Sequence, residues 1–213
     1  MNINEYFGDF IAVINLKKRE DRLASSTKIL DDFGVKYEVW EATDNMEYPC
    51  RGLVDSMQRY FRKVLDAGGD KCLLFEDDIL PLVDAQVFNE TMEKALQQLP
   101  ADWDLFYLGG NCASGLQEFY SANLLPVKMM YATHATAYSK KAMEFIVNKT
   151  INEPVDNCLV RDFQPRKKIF ITYPMLLTQR ACFSDIGKAY TDWSKFLETR
   201  YNAEIKKIQP HDS

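Results

Sequence analysis

At residues 71–78 the chain reads Lys71-Cys72-Leu73-Leu74-Phe75-Glu76-Asp77-Asp78. The apolar run that ends at Phe75 is typical of a strand buried on both faces, as in the parallel sheets of α/β proteins. Three acidic residues follow at once, so their carboxyl groups lie at the carboxyl end of the strand. In open α/β sheets that end is where ligands bind. We therefore predict an α/β domain whose site is built around Glu76, Asp77 and Asp78.

The segments on either side repeat an α/β alternation. Residues 10–16 form an apolar run of strand type, and a helix predicted over 17–33 ends at Gly34. Together with a strand over 36–40 these segments open a βαβ arrangement. The spacing predicts further helices over 52–67, 84–99, 140–148 and 192–205, a strand over 105–108 that Gly109-Gly110 breaks, a strand pair within 118–139, and a strand over 169–173.

Length and composition restrict the class of protein. With 213 residues, 46% of them hydrophobic, the chain is predicted to form a single domain over 1–213. Its 26 basic and 31 acidic residues give a net charge of −5, which argues against a nucleic-acid partner. The five cysteines include no CxxC pair, which argues against zinc and redox sites. Neither a signal peptide nor a transmembrane segment is recognisable, so we expect a soluble, cytoplasmic protein.

Clustered carboxylates at the end of a buried strand repel one another unless a cation or hydrogen bonds offset their charge. Mn²⁺ or Mg²⁺ would do so, because both accept carboxylate and phosphate oxygens. A metal held there would stabilise a departing nucleoside diphosphate as a Lewis acid. The alternative is that the acids end the strand and face water.

Other polar residues also have two interpretations. Arg19 and Arg22 would share a helix face and could hold a phosphate, or they belong to a solvated first turn. Asp156 could cap a short helix or act as a general base on an acceptor hydroxyl. His134 lies in an apolar strand, where a hydrogen-bonded core histidine is expected rather than a ligand, and His211 lies in a tail.

The ordered set of motifs resembles glycosyltransferase family 25, which includes lipopolysaccharide sugar transferases and collagen galactosyltransferases. The matching segments fall in family order between residues 11 and 186: Val13-Ile14-Asn15-Leu16-Lys17-Lys18-Arg19-Glu20-Asp21-Arg22, Leu73-Leu74-Phe75-Glu76-Asp77-Asp78-Ile79, Asp102-Trp103-Asp104-Leu105-Phe106-Tyr107-Leu108-Gly109-Gly110, Thr133-His134-Ala135-Thr136-Ala137-Tyr138-Ser139-Lys140-Lys141-Ala142, Pro154-Val155-Asp156, and, more weakly, Gln179 and Ser184-Asp185-Ile186.

The resemblance implies a GT-A fold, with a mixed, mostly parallel central sheet flanked by helices. It implies a nucleotide-binding half over about 1–110 and an acceptor-facing half over about 111–213. It also implies roles at matching positions: Asp78 and Glu76 for the metal, Asp77 near the donor ribose or sugar, Asn15, Leu16, Arg22 and Ala42 for the nucleotide, and Asp156 as the base of an inverting enzyme.

The chain also departs from the family pattern. A Gly-Cys-x-x-Ser-His segment usually precedes the acidic motif, whereas residues 52–57 keep the serine, Ser56, and lack the histidine. That departure leaves the donor sugar open, because this helix borders the sugar pocket. The chain is also short for the family, and its size is similar to that of the GT-A-like N-terminal domains of multi-domain enzymes of large algal viruses. Further domains of the same polypeptide are therefore expected.

The expected function is transfer of a hexose or deoxyhexose from a UDP-sugar to a hydroxyl of a glycan or glycoprotein, with Mn²⁺ or Mg²⁺ as cofactor. One alternative is a catalytically silent nucleotide- or glycan-binding module of a larger glycosyltransferase. A nucleotidyltransferase ranks third, because residues 15–22 contain no glycine for a triphosphate loop.

Overall fold

The computed structural model describes residues 1–184 and 189–208. The strands are β1 (Ile11–Asn15), β2 (Glu38–Glu41), β3 (Lys71–Glu76), β4 (Ile79–Pro81), β5 (Leu105–Leu116), β6 (Leu124–Ser139), β7 (Ile169–Thr172), β8 (Leu177–Gln179), β9 (Cys182–Ser184) and β10 (Ala189–Thr191). The helices are α1 (Ile3–Phe7), α2 (Glu20–Asp32), α3 (Pro49–Asp66), α4 (Ala85–Gln98), α5 (Lys140–Val147), α6 (Val155–Cys158) and α7 (Ser194–Ile208), and a π-helical turn (Leu159–Phe163) follows α6.

The central sheet has the strand order β2-β1-β3-β6-β5-β7. Strand β1 pairs in parallel with β2 and β3, and β5 pairs in parallel with β7. Only β6 runs in the opposite direction among these strands, because it is antiparallel to β3, β5 and β7. The predicted mixed, mostly parallel sheet is therefore confirmed, and β1 and β3 end side by side at one edge.

Both faces of this sheet are covered. One face carries Ala12, Leu74 and Tyr107, which pack against α3, α5 and α7. The opposite face carries Val13, Leu73 and other apolar side chains that pack against α1, α2 and α4. Alternate residues of β1 and β3 therefore point into two different cores, which is why both strands read as continuous apolar runs.

The prediction that Gly109-Gly110 breaks a strand is wrong. Strand β5 continues through both glycines to Leu116, with irregular pairing to β6 on either side of Gly109. A Cβ atom at Gly109 would lie 1.9 Å from the Leu177 carbonyl oxygen. The glycine therefore permits close approach of β8 to β5 rather than ending the strand.

Several predicted boundaries shift. Helix α2 begins at Glu20 rather than residue 17, and Gly34 follows it with a φ of +70°. The predicted strand pair within 118–139 instead becomes the end of β5 paired with β6. The closing helix runs from Ser194 to Ile208.

Of the residues expected to face inward from the closing helix, Leu197, Tyr201 and Ile205 are buried. Trp193 and Phe196 are exposed. Across residues 1–184 and 189–208, no helix has the length and apolar character needed to cross a membrane.

Candidate functional site

A polar network joins the ends of β1 and β3. The Asp77 carboxylate accepts a hydrogen bond from Asn15 Nδ2 at 2.8 Å and one from Arg22 Nη1 at 3.0 Å. Asn15 Nδ2 also donates to the Arg19 carbonyl at 3.1 Å, which holds the first turn of α2 against β1. Three predicted site residues are therefore in contact, although Asp77 uses both oxygens within the protein. Arg22 is ion-paired with Asp77, and Arg19 with Asp21.

Glu76 and Asp78 precede and follow Asp77 in sequence, and their carboxylates have fewer hydrogen-bond partners among the described residues than that of Asp77. Glu76 accepts a hydrogen bond from Thr133 Oγ1 at 2.9 Å. Burial, the nearby Asp78 and further acids raise the pKa of Glu76 to about 8. Burial and Asp77 raise the pKa of Asp78 to about 6, against the opposing influence of Arg22. Both shifts arise because desolvation and like charge disfavour the ionised carboxylates.

The donor set at this edge fits a hard divalent cation. Asp78 Oδ1 is buried, and within the described chain it has no hydrogen-bond partner. Asp78 Oδ2 accepts a long bond, 3.4 Å, from Gln179 Nε2. Throughout residues 1–184 and 189–208, no group of three or more acidic, histidine or cysteine side chains is placed to hold a metal by itself. Glu76 and Asp78 could therefore supply two carboxylate ligands to a metal whose remaining ligands come from a phosphorylated substrate.

Asp156 lies on α6 in the wall of the same site. It is not the helix cap, since Pro154 occupies that position. Its carboxylate accepts hydrogen bonds from the backbone N–H groups of Ala132, at 3.1 Å, and Asn157, at 2.9 Å. Ala132 has a φ of +64°, in the left-handed region that a β-carbon disfavours. Asp156 thus holds a strained residue of β6 directly before Thr133, the partner of Glu76.

A cavity of about 330 Å³ contains both Glu76 and Asp156. Its wall also includes Asn111, Thr133 and Trp193. The structure therefore brings Glu76 of the acidic triplet and Asp156 to one cavity, although more than 75 residues separate them in sequence.

A second cavity, of about 600 Å³, lies beside the ends of β1 and β2. Ala42 lines it, and the Ala42 amide donates to the Asn15 carbonyl at 2.8 Å. Lys17, Lys18 and Arg59 supply positive charge to its wall. Of these basic residues, Lys18 bonds both Asp44 carboxylate oxygens at 2.8–2.9 Å. The wall of this cavity thus carries three basic side chains at a strand end, together with the acids Glu41 and Asp44.

Ser56 and Leu16 line neither of these two cavities. The Ser56 hydroxyl is buried, donates to the Gly52 carbonyl at 2.6 Å and accepts from the Thr43 amide at 2.8 Å. It joins α3 to the loop after β2 and lies beneath the second cavity's wall rather than in it. Leu16 is partly buried, and its carbonyl accepts from the Arg19 amide at 2.7 Å.

His134 lines neither of these two cavities. It is buried in the sheet, as expected, but its ring nitrogens have no hydrogen-bond partner among the described residues, and burial lowers its pKa to about 4. It is therefore neutral at physiological pH. His211 lies outside the described residues, as do Asp185 and Ile186 of the weakest matching segment.

Sequence reasoning missed Asn111, Ala132 and the role of Thr133. Asn111 follows Gly109-Gly110, and its side-chain oxygen is buried and has no hydrogen-bond partner in the part of the chain that the structure describes. The strain at Ala132 leaves no mark in the sequence, because glycine or asparagine would be the usual residue there. Thr133 lies directly beside His134 in a segment that resembles the family, and only the pairing of β6 with β3 places it at Glu76.

No protein-family model and no curated protein sequence matches the chain. Solved structures do. A glycosyltransferase involved in the glycosylation of the major capsid of PBCV-1 is 9% identical with a TM-score of 0.54, over 89% of this chain and 98% of that chain. A mutant Drosophila beta-1,4-galactosyltransferase 7 in complex with manganese, UDP-Gal and xylobiose is 12% identical with a TM-score of 0.45, over 85% and 74%. Apo UDP-glucose pyrophosphorylase is 12% identical with a TM-score of 0.43, over 96% and 84%.

The first of these likenesses supports the predicted fold class, because its TM-score exceeds 0.5 and it spans nearly all of both chains. This protein therefore has a GT-A-like fold, with a mixed, mostly parallel sheet flanked by helices. Because the two chains are only 9% identical, this likeness supports the fold and not the function. Membership of family 25 stays a prediction.

Proposed function

We propose that this protein is a metal-dependent glycosyltransferase that moves a hexose or deoxyhexose from a UDP-sugar to a hydroxyl of a glycan or glycoprotein acceptor. The observation that carries the proposal is the state of Glu76 and Asp78. These carboxyl groups lie at the carboxyl end of β3 in a GT-A-like sheet and have raised pKa values, and Asp78 Oδ1 is buried with no hydrogen-bond partner among the described residues. Such a pair is suited to binding a cation and is destabilising without one.

The metal, Mn²⁺ or Mg²⁺, would be held by Asp78 directly, with Glu76 beside it. When bound, it would supply Lewis-acid stabilisation of the charge that develops on the departing diphosphate. Asp77 contributes differently, because its bonds to Asn15 and Arg22 fix the ends of β1 and β3 at a constant separation. That fixed backbone orients Asp78, which preorganises the site for the cation.

The nucleotide would occupy the cavity lined by Ala42, Lys17, Lys18 and Arg59. The proposal assigns the uracil to the loops that follow Asn15 and Ala42, where backbone groups supply the hydrogen bonds that a base requires. The basic side chains would offset phosphate charge. Leu16 and Ser56 support these loops through their backbone and hydroxyl contacts.

Asp156 would act on the acceptor side of the site. If the anomeric carbon inverts, Asp156 takes the proton from the acceptor hydroxyl as a general base. If configuration is retained, no such base is required, and Asp156 positions the sugar. The two hydrogen bonds that its carboxylate accepts leave lone pairs for either role.

A titration of UDP with and without Mn²⁺ tests the proposal. Wild-type protein should bind UDP at least tenfold more tightly with Mn²⁺, and Asp78→Ala should lose that gain. The matched control is Asp70→Ala, which removes an exposed acid before the other end of β3. Metal-independent binding that Asp78→Ala leaves unchanged would contradict the proposal.

A catalytically silent nucleotide- or glycan-binding module is the alternative, and the absent histidine beside Ser56 favours it. Slow hydrolysis of UDP-sugars separates the two. An active transferase should release free sugar with Mn²⁺ present, whereas a silent module should release none.

A further inference from the structure

Trp193 occupies an unusual position for a large aromatic side chain. It is 46% exposed, yet it lines the cavity that contains Glu76 and Asp156. Leu197, one helical turn further along, is buried in the core. Trp193 therefore lies at the boundary between the core and the opening of the cavity, and no described element covers it. An exposed tryptophan at the rim of a polar cavity is typical of a binding surface.

The indole has a packing partner on the same surface and lies next to an anchored helix. Its ring makes an edge-on contact with Phe196, with centroids 5.6 Å apart. The following helix, α7, is anchored to the sheet because Tyr201 donates its hydroxyl hydrogen to the Thr172 carbonyl at 2.9 Å. A rigid aromatic surface loses little conformational freedom when a ligand stacks on it.

The cavity also offers polar groups suited to hydroxyls. The Asn111 side-chain oxygen is buried, and no described residue donates a hydrogen to it. Asp156 and Gln179 add a carboxylate and a second amide to the wall. Carboxylates accept hydrogens and amides both donate and accept them, which matches the hydroxyl groups of a sugar ring. A buried unpaired oxygen gains a full hydrogen bond when such a hydroxyl enters.

The wall offers no basic side chain to hold a phosphate without the proposed metal. Among its described lining residues none is lysine or arginine, whereas Glu76 and Asp156 are acidic. The basic groups lie in the other cavity, with Ala42. Away from Glu76, the wall therefore suits a neutral molecule with one apolar face and a rim of hydroxyls.

We infer that Trp193 is the platform for the apolar face of a pyranose ring, so that the acceptor is a saccharide rather than a peptide side chain. In this arrangement the Asn111 oxygen accepts from a ring hydroxyl while the indole covers the ring's C–H face. This inference rests on the proposed function, because it places the acceptor sugar beside Asp156.

Saturation-transfer NMR with methyl β-D-glucopyranoside, methyl β-D-galactopyranoside and methyl β-D-xylopyranoside tests the platform, in the presence of UDP and Mg²⁺. At least one glycoside should bind, with transfer strongest to the hydrogens of one ring face. Trp193→Ala should weaken its binding about tenfold, and Trp193→Phe should retain most of it. Tyr120→Ala is the matched control, because Tyr120 is more exposed than Trp193 and does not line the cavity.

Binding of UDP with Mg²⁺ is measured on every variant, which separates this inference from the proposed function. Glycoside binding equal in wild type and Trp193→Ala, with UDP binding intact, would overturn the platform. Preferential binding of a serine- or threonine-containing peptide over all three glycosides would also overturn it. A wild-type protein that fails to bind UDP refutes the proposed function, whereas glycoside binding that depends on Trp193 would still support the platform.

Discussion

Strand β3 has acidic residues next to both of its ends, and their surroundings differ. Before the strand, Asp70 is 73% exposed and forms a salt bridge with Lys71 at 2.8 Å. After it, Glu76 and Asp78 are partly buried, and burial and neighbouring acids raise their pKa values to about 8 and about 6. The charge of the exposed acid is offset by Lys71 and by water, whereas the other two acids lie among further acids. The same residue type is therefore solvated at one end of the strand, and at the other end it is where we propose ligand binding.

The largest expected effect follows from removing a carboxylate at the carboxyl end of β3. Asp78→Asn should lower turnover of a UDP-sugar by about a hundredfold or more, because an amide holds a divalent cation far less well. Asp70→Asn should leave turnover unchanged. The assay is release of UDP with Mn²⁺ in excess. Equal losses in the two variants would show that the two ends of β3 do not differ in function.

The free energy of unfolding should also differ between variants at the two ends of β3. Asp77→Asn should lower the free energy of unfolding by about 2 kcal/mol, because Asn15 and Arg22 donate to different oxygens of Asp77 and the amide replaces one of these acceptors with an NH2 donor. Asp70→Asn removes an exposed ion pair and should change it by less than about 1 kcal/mol. Urea denaturation monitored by circular dichroism measures both values. A smaller loss for Asp77→Asn than for Asp70→Asn would contradict the polar network described at β1 and β3.

A smaller effect should appear in the pH dependence of stability without metal. The folded-state pKa of Glu76, about 8, lies above its ordinary value of 4.5, so folding favours the protonated acid. Its contribution to stability is therefore complete below pH 4.5 and is lost as the pH rises towards 8. Glu76→Gln should raise the free energy of unfolding by about 1–2 kcal/mol at pH 8 and have little effect at pH 4.

Denaturation at both pH values, with Asp70→Asn as the control, tests this expectation. Adding Mn²⁺ and UDP should reverse the advantage of the Glu76→Gln variant, since the ionised carboxylate then has a cation. Stabilisation that is equal at pH 4 and pH 8 would contradict the raised pKa.

The central sheet and the acidic site were predictable because their signals are local. An apolar run followed directly by acids identifies β3 and its ligand-binding end without any long-range information. The spacing of apolar residues likewise identified α3 and α4, and Asp84 caps α4 by accepting from the Val87 amide at 2.9 Å. The strand and the two helices depend on neighbours in sequence, and the structure confirms them. The binding role of the acidic residues stays a prediction.

The features that could not be predicted depend on distant neighbours. In the sequence, Gly109 is typical of a residue that ends a strand. In the structure, the backbone of Leu177 lies against it, which explains the glycine. Trp193 and Phe196 fit the apolar period of α7, yet they lie at the margin of its buried face and remain exposed. Asn111 and Thr133 become site residues only through the pairing of β5, β6 and β3. Periodicity identifies the apolar face of an element, but it does not show where the covering element ends.

Electron paramagnetic resonance of Mn²⁺ tests the central claim most directly, because free Mn²⁺ gives a six-line signal that weakens when the ion is bound. With UDP present, wild-type protein and Asp70→Asn should each remove the signal of a single ion per chain, and Asp78→Asn should remove almost none. Loss of signal that is the same in all three proteins would contradict a metal site at the carboxyl end of β3.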